Sequence, residues 1–97
     1  AFAGGFGMQL DLRPMPCEAG LRRDDSLLYA ETASRFVVTV PAPQRETFEA
    51  LLDACPVGLL GLVTAAPRFV VTGLQGQEVI GADLATLKEA WQRPLRW

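Results

Sequence analysis

The chain has no histidine and only two cysteines, Cys17 and Cys55. Without histidine the commonest general base near neutral pH is missing, so any acid–base work would fall to carboxylates, lysine or tyrosine. The cysteines are far apart and form no Cys-x-x-Cys, which excludes an ordinary zinc site. A nucleophilic cysteine would lack the histidine that usually activates it, so both are expected to be bland thiols. Long hydrophobic runs are absent too. The stretch Val57 to Ala66 falls well short of the roughly 20 residues of a membrane span, and no signal-peptide pattern opens the chain. These absences predict a cytoplasmic protein with no membrane partner. Nine basic and eleven acidic residues are interspersed to a net charge of −2, leaving no basic stripe for nucleic acid. Gly4, Gly5 and Gly7 match neither common phosphate-loop spacing, and no strand precedes them. They read better as a helix stop, so the chain is expected to begin inside a helix, as an N-terminally truncated piece.

What is present suits one small globular domain spanning 1–97, with 49% hydrophobic and 21% charged residues. Gly7 to Leu12 alternates apolar and polar residues, the mark of a half-buried strand. Pro14, Pro16 and Gly20 make the next stretch a surface connection. Arg22, Arg23, Asp24 and Asp25 cancel their own charge and read as a solvated surface, with Asp25 or Ser26 able to cap a short helical turn. Gln44 to Cys55 places Phe48, Leu51, Leu52 and Cys55 at helical spacing. Val57 to Thr64 and Arg68 to Thr72, joined by Ala65-Ala66-Pro67, are predicted to form an antiparallel hairpin, and Gln77 to Gly81 a short edge strand. Asp83 is placed to cap a last helix with the stripe Leu84, Leu87, Ala90 and Trp91, which makes Trp91 a predicted core residue; Pro94 stops it. Trp97, if ordered, is expected to cover apolar surface. The order predicts an α+β fold with helices packed on a mainly antiparallel sheet.

The rest of the chain is organised around Ser26 to Pro41. Phe36 to Val40 is the most strand-like run and is predicted to lie inside the sheet, covered on both faces. Ahead of it, Glu31-Thr32-Ala33-Ser34-Arg35 brings a carboxylate, a hydroxyl and a guanidinium to a strand entrance. Two readings of Glu31, Ser34 and Arg35 stand. They hold a phosphate, a ribose or a metal-bound water, or they contact a neighbouring domain. Alternatively Arg35 pairs with Glu31 or Asp25 and Ser34 closes a turn. No residue of the chain is predicted to be catalytic or to ligate a metal by itself.

Leu27 to Val40, Glu46 to Leu52, Arg68 to Gly73 and Asp83 to Leu95, together with the opening Ala1 to Leu12, resemble the C-terminal end of bacterial phosphoribosylformylglycinamidine synthase subunit II. The resemblance implies the C-terminal-domain fold of aminoimidazole ribonucleotide synthetase, with its ferredoxin-like relationship. It implies a parent ligase that converts formylglycinamide ribonucleotide to the amidine in purine biosynthesis, using ATP, magnesium and ammonia. Partners would be the remaining domains of the subunit, a glutaminase subunit and a small accessory subunit. An Asp-Gly-Gly segment and most nucleotide- and metal-binding residues of that family lie outside this chain, so the fragment is expected to be inactive alone, to carry no ATP or magnesium of its own, and to be prone to self-association. The alternative is a free-standing ferredoxin-like module that binds a small regulatory ligand.

Overall fold

A computed structural model describes residues 1–96; Trp97, and the expectation placed on it, lie outside the described residues. Four strands form one sheet: β1 (Gly7–Asp11), β2 (Gly61–Thr64), β3 (Arg68–Thr72) and β4 (Glu78–Asp83), in the spatial order β2-β1-β3-β4. The helices are α1 (Asp24–Tyr29), α2 (Arg45–Leu51) and α3 (Leu84–Gln92), with 3-10 turns at Ala42–Gln44 and Arg93–Leu95. The fold is α+β and the sheet is mixed. β1 runs antiparallel to β2 and parallel to β3, while β3 and β4 are antiparallel.

β1 is central because both of its edges find partners, and its alternation puts Met8 and Leu10 on the face that leads to the buried Leu12. Leu12, Leu27 and Val71 form the core cluster, ringed by Leu10, Met15, Leu21, Leu28, Phe69, Leu74, Val79 and Ile80. Leu27 is 2% exposed and Val71 0%, so α1 lies on the sheet through Leu27, the one fully buried residue of that helix. The β3–β4 turn is tight. The Gly73 amide donates to the Gln77 carbonyl at 2.7 Å, and Gly76 takes φ +82, a left-handed conformation that costs glycine nothing.

Several expectations need correction. The predicted hairpin does not form, because β1 lies between β2 and β3. Short spacing through Ala65-Ala66-Pro67 favours a hairpin, but the Cβ-less Gly61 and Gly7 let β1 and β2 approach, where a side chain on Gly61 would collide with the Gln9 carbonyl. Phe36 to Val40 is not inside the sheet. It pairs with no strand, and Phe36 and Val37 are 83% and 76% exposed. Strand propensity reports fitness for a pleated surface, and here the sheet's interior positions are taken by β1 and β3. The helix predicted from Gln44 is shorter, ending at Leu51, and its stripe is only partly covered, with Leu51 and Cys55 exposed and Phe48 and Leu52 half-buried.

Trp91 is not a core residue: it is 60% exposed and stacks on Phe2, ring centroids 5.9 Å apart and tilted by 41°. Along α3 Leu84 is buried, Leu87 half-buried and Ala90 exposed, so burial along the stripe runs out before it reaches Trp91. Asp83 stands at the start of α3 but makes no side-chain cap; its carboxylate faces Arg68 across the strand pair at 3.5 Å. At the other end of the chain, Ala1 to Gly5 forms a single turn closed from the Gly5 amide to the Ala1 carbonyl at 3.1 Å, with Gly5 at φ +75 as a helix stop requires.

Candidate functional site

The predicted site residues lie just beyond the C-terminal end of α1. A six-residue helix leaves its last carbonyls without intrahelical partners, and α1 has no basic residue in its last turn. Arg35 supplies what is missing. Its Nη2 donates to the Leu27 carbonyl at 2.7 Å and also meets the Met15 sulfur, while Nη1 faces the Ala30 carbonyl at 3.5 Å. A guanidinium at this end complements the helix dipole and satisfies an orphan acceptor. The Leu27 side chain is in the core and its carbonyl holds Arg35, so a core residue positions the cation.

The chain returns to Arg35 through a turn whose corner is Ser34, at φ +62, the one non-glycine residue with a positive φ among the described residues. That conformation is uncommon for a residue with a Cβ and marks a fixed corner. Glu31 and Ser34 are exposed, and neither side chain makes a hydrogen bond among the described residues. The structure therefore puts Glu31, Ser34 and Arg35 on one short turn without joining them to one another. Arg35 takes neither Glu31 nor Asp25 as its partner, since Asp25 is engaged by Arg23, Oδ1 to Nε at 3.0 Å and Oδ2 to Nη2 at 2.6 Å. What the turn offers a ligand is an exposed carboxylate, an exposed hydroxyl and the unbonded face of one guanidinium.

The reading of Arg22 to Asp25 as solvated charge describes Arg23 and Asp25, but Asp24 departs from it. Asp24 reaches across the fold, accepting from the Leu74 amide at 2.7 Å through Oδ1 and from Gln77 Nε2 at 3.2 Å through Oδ2. Gly73 makes room, since a Cβ there would stand 2.8 Å from Asp24 Oδ2. α1, whose end carries Arg35, is thereby fixed to the β3–β4 turn. No local pattern announces a bond between residues 50 apart. Asp24 opens α1 one position before the capping residues that the sequence suggests.

Electrostatics at the surface is local. The Arg13 side chain, then its own amide, hold Asp11 well below the usual carboxylate range, at about 2. Arg23, helped by the Ser26 amide, does the same for Asp25, also at about 2. Among the described residues no three acidic or cysteine side chains come together as a candidate metal-holding group. Cys17 and Cys55 are both free and exposed. No helix of the described residues is long and apolar enough to cross a membrane.

The fold and its comparisons define the class. The profile of the AIR synthase related protein, C-terminal domain, matches residues 1–73, and the chain belongs to that family. Among curated proteins it is similar to the phosphoribosylformylglycinamidine synthase subunit PurL of Deinococcus radiodurans, 32% identical over 98 residues, covering 99% of this chain and 12% of that protein. The PurL subunit of Leuconostoc mesenteroides is 34% identical over 99 residues, covering 100% of this chain and 12% of its own length. The chain thus spans about an eighth of the curated relatives it matches. No solved structure matches it.

Proposed function

We propose that the chain serves as the C-terminal AIR-synthase-like domain of a phosphoribosylformylglycinamidine synthase, the subunit II type, and is inert as a ligase by itself. The observation that carries this reading is similarity that covers 99% and 100% of the chain to two PurL subunits. The parent reaction forms the amidine of formylglycinamide ribonucleotide with ATP, magnesium and ammonia, and a glutaminase and a small accessory subunit are its partners. The residues described here supply neither an acidic cluster nor a general base of the histidine type. On this reading ATP and magnesium are assigned to other parts of the parent, and this domain is assigned surface and positioning. Glu31, Ser34 and Arg35 are assigned to the substrate side or to the boundary with a neighbouring domain. That reading is supported by a fixed turn whose carboxylate and hydroxyl point to solvent.

The test is a hybrid. The matching segment of the Deinococcus radiodurans PurL subunit is replaced by this chain, and ATP-dependent amidine formation is measured with ammonia as the nitrogen source. Activity within about tenfold of the natural subunit is expected, a difference of about 1.4 kcal/mol in barrier, and no turnover by the 97-residue chain alone. Loss of activity in a hybrid that folds, or turnover by the isolated chain, overturns the proposal. In the same hybrid, Glu31→Ala with Ser34→Ala should lower kcat/KM about tenfold without lowering the thermal midpoint. Unchanged kinetics remove these two residues from the site.

A further inference from the structure

Arg35 is held by two parts of the chain that lie apart in sequence. One is the end of α1, through the Leu27 carbonyl at 2.7 Å; the other is the connection after β1, through the Met15 sulfur. That connection is stiff. Pro14 and Pro16 fix their own backbone angles and restrict the residue before each of them, which for Pro16 is Met15. The Met15 amide donates to the Leu12 carbonyl at 3.1 Å, and Leu12 is in the core. Gly58 packs against the turn, where a Cβ would stand 3.0 Å from Pro16 Cδ. Met15 itself is half-buried against the cluster of Leu12, Leu27 and Val71, so its sulfur has little freedom to follow a moving cation.

The geometry of a guanidinium makes this a matter of ligand choice. Its N–H donors lie in a rigid plane, and paired oxygens are gripped either by Nε–H with Nη2–H or by Nη1–H with Nη2–H. Both grips need a hydrogen of Nη2. That nitrogen has two hydrogens and two acceptors, the Leu27 carbonyl and the Met15 sulfur, so neither hydrogen is left over. Nε bonds to nothing among the described residues, and Nη1 faces only the Ala30 carbonyl, at 3.5 Å. What remains for a ligand is Nε–H and one Nη1–H, each acting alone. The exposed Glu31 carboxylate on the same turn adds a negative charge that disfavours an anion there.

We propose that Met15 is the residue that positions Arg35 and sets what it can bind. By taking the second Nη2 hydrogen it closes both forked grips, and the single donors that remain suit one carbonyl or hydroxyl oxygen at a time, not the paired oxygens of a phosphate or a carboxylate. This rests on the assignment of the Glu31–Arg35 turn to the substrate side. Leucine at position 15 keeps the volume of the side chain and loses the acceptor, which frees one Nη2 hydrogen and loosens the guanidinium. Glutamine has similar length and brings an acceptor back through its carboxamide oxygen.

The experiment has one arm on the 97-residue chain and one on the hybrid PurL subunit. In the chain, nitrogen-15 spectra follow rotation of the Arg35 Nη groups in the parent, Met15→Leu and Met15→Gln. Rotation is expected to be slow in the parent, about fivefold faster in Met15→Leu for one hydrogen bond lost, and slow again in Met15→Gln. Added inorganic phosphate should leave Nε and Nη2 of the parent unmoved. In the hybrid, Met15→Leu should lower kcat/KM about fivefold and Met15→Gln should recover it. Equal rotation in the parent and Met15→Leu overturns the proposal, as does a saturable response of Nε and Nη2 together to phosphate in the parent, because a fork is then open. A Met15→Gln variant as fast as Met15→Leu overturns it too, since the lost acceptor was then not the cause. Arg35→Ala in the hybrid separates the two kinds of failure. If it is as active as the unaltered hybrid, the assignment of the turn to the substrate side has failed and the proposal falls with it; an impaired Arg35→Ala beside an unaffected Met15→Leu refutes the proposal alone.

Discussion

Replacing Asp24 by alanine removes the two hydrogen bonds that fix α1 to the β3–β4 turn, and the cost follows from what is left behind. The Leu74 amide is part-buried and loses its carboxylate acceptor, while Gln77 is exposed and recovers its bond from water. A donor left unpaired costs about 1–3 kcal/mol, and partial access to water places Leu74 near the middle, at about 1.5 kcal/mol. The acidic first turn of α1 also loses a carboxylate at its N-terminus, which adds about 0.3–1 kcal/mol. For a domain of this size each kcal/mol lowers the midpoint by about 4–8 °C, so Asp24→Ala should melt roughly 7–20 °C early by circular dichroism. Asp24→Asn keeps an oxygen for Leu74 and should lose less than half as much. Asp25→Ala, one residue along, breaks an exposed pair with Arg23 and a local bond from the Ser26 amide, ties nothing across the fold, and should shift the midpoint by a few degrees. If Asp24→Ala and Asp25→Ala melt within about 2 °C of each other, the cross-fold tie contributes nothing and the reasoning fails.

Leu27→Ala empties the one α1 position that is fully in the core, and a loss of about 2–5 kcal/mol is expected from urea unfolding. A loss below 1 kcal/mol would mean that α1 is not seated on the sheet. Asp11 and Asp25 should titrate at about 2 instead of the ordinary 3.8, as followed by carboxyl carbon shifts in an acid series. Because both values are depressed in the folded chain, the stability they contribute is complete above about 4 and fades as pH falls towards 2. A midpoint near 3.8 for either one removes its arginine pairing.

Much of the sheet was legible because period-two alternation is a local property. β1 and β3 come out within a residue of the expected bounds, and β4 lies on the edge as expected, starting one residue later and ending two later. Order within the sheet was not legible. The sequence presents β2 and β3 three residues apart, and nothing local reveals that a strand from the other end of the chain separates them. Phe36 to Val40 shows the limit from the other side. Its composition reads as interior strand, yet composition reports what a segment would do against a partner and not whether the partner's edge is taken. Trp91 fails for a related reason, since helical spacing fixes a stripe but not the point where the sheet beneath it ends. At the candidate turn, the presence of Glu31, Ser34 and Arg35 was readable. The use of Arg35 to close α1 was not, because it depends on where a six-residue helix stops.

The middle position of β1 has a consequence for synthesis. Its partners are Gly61–Thr64 on one side and Arg68–Thr72 on the other. At about 5–20 residues per second, the opening strand waits on the order of 3–10 s for its first neighbour to be made. A ribosome that stalls before that point releases a chain with its central strand bare on both flanks. Nascent polypeptides of this domain are accordingly expected to recruit holding chaperones throughout elongation and to fold in one late step.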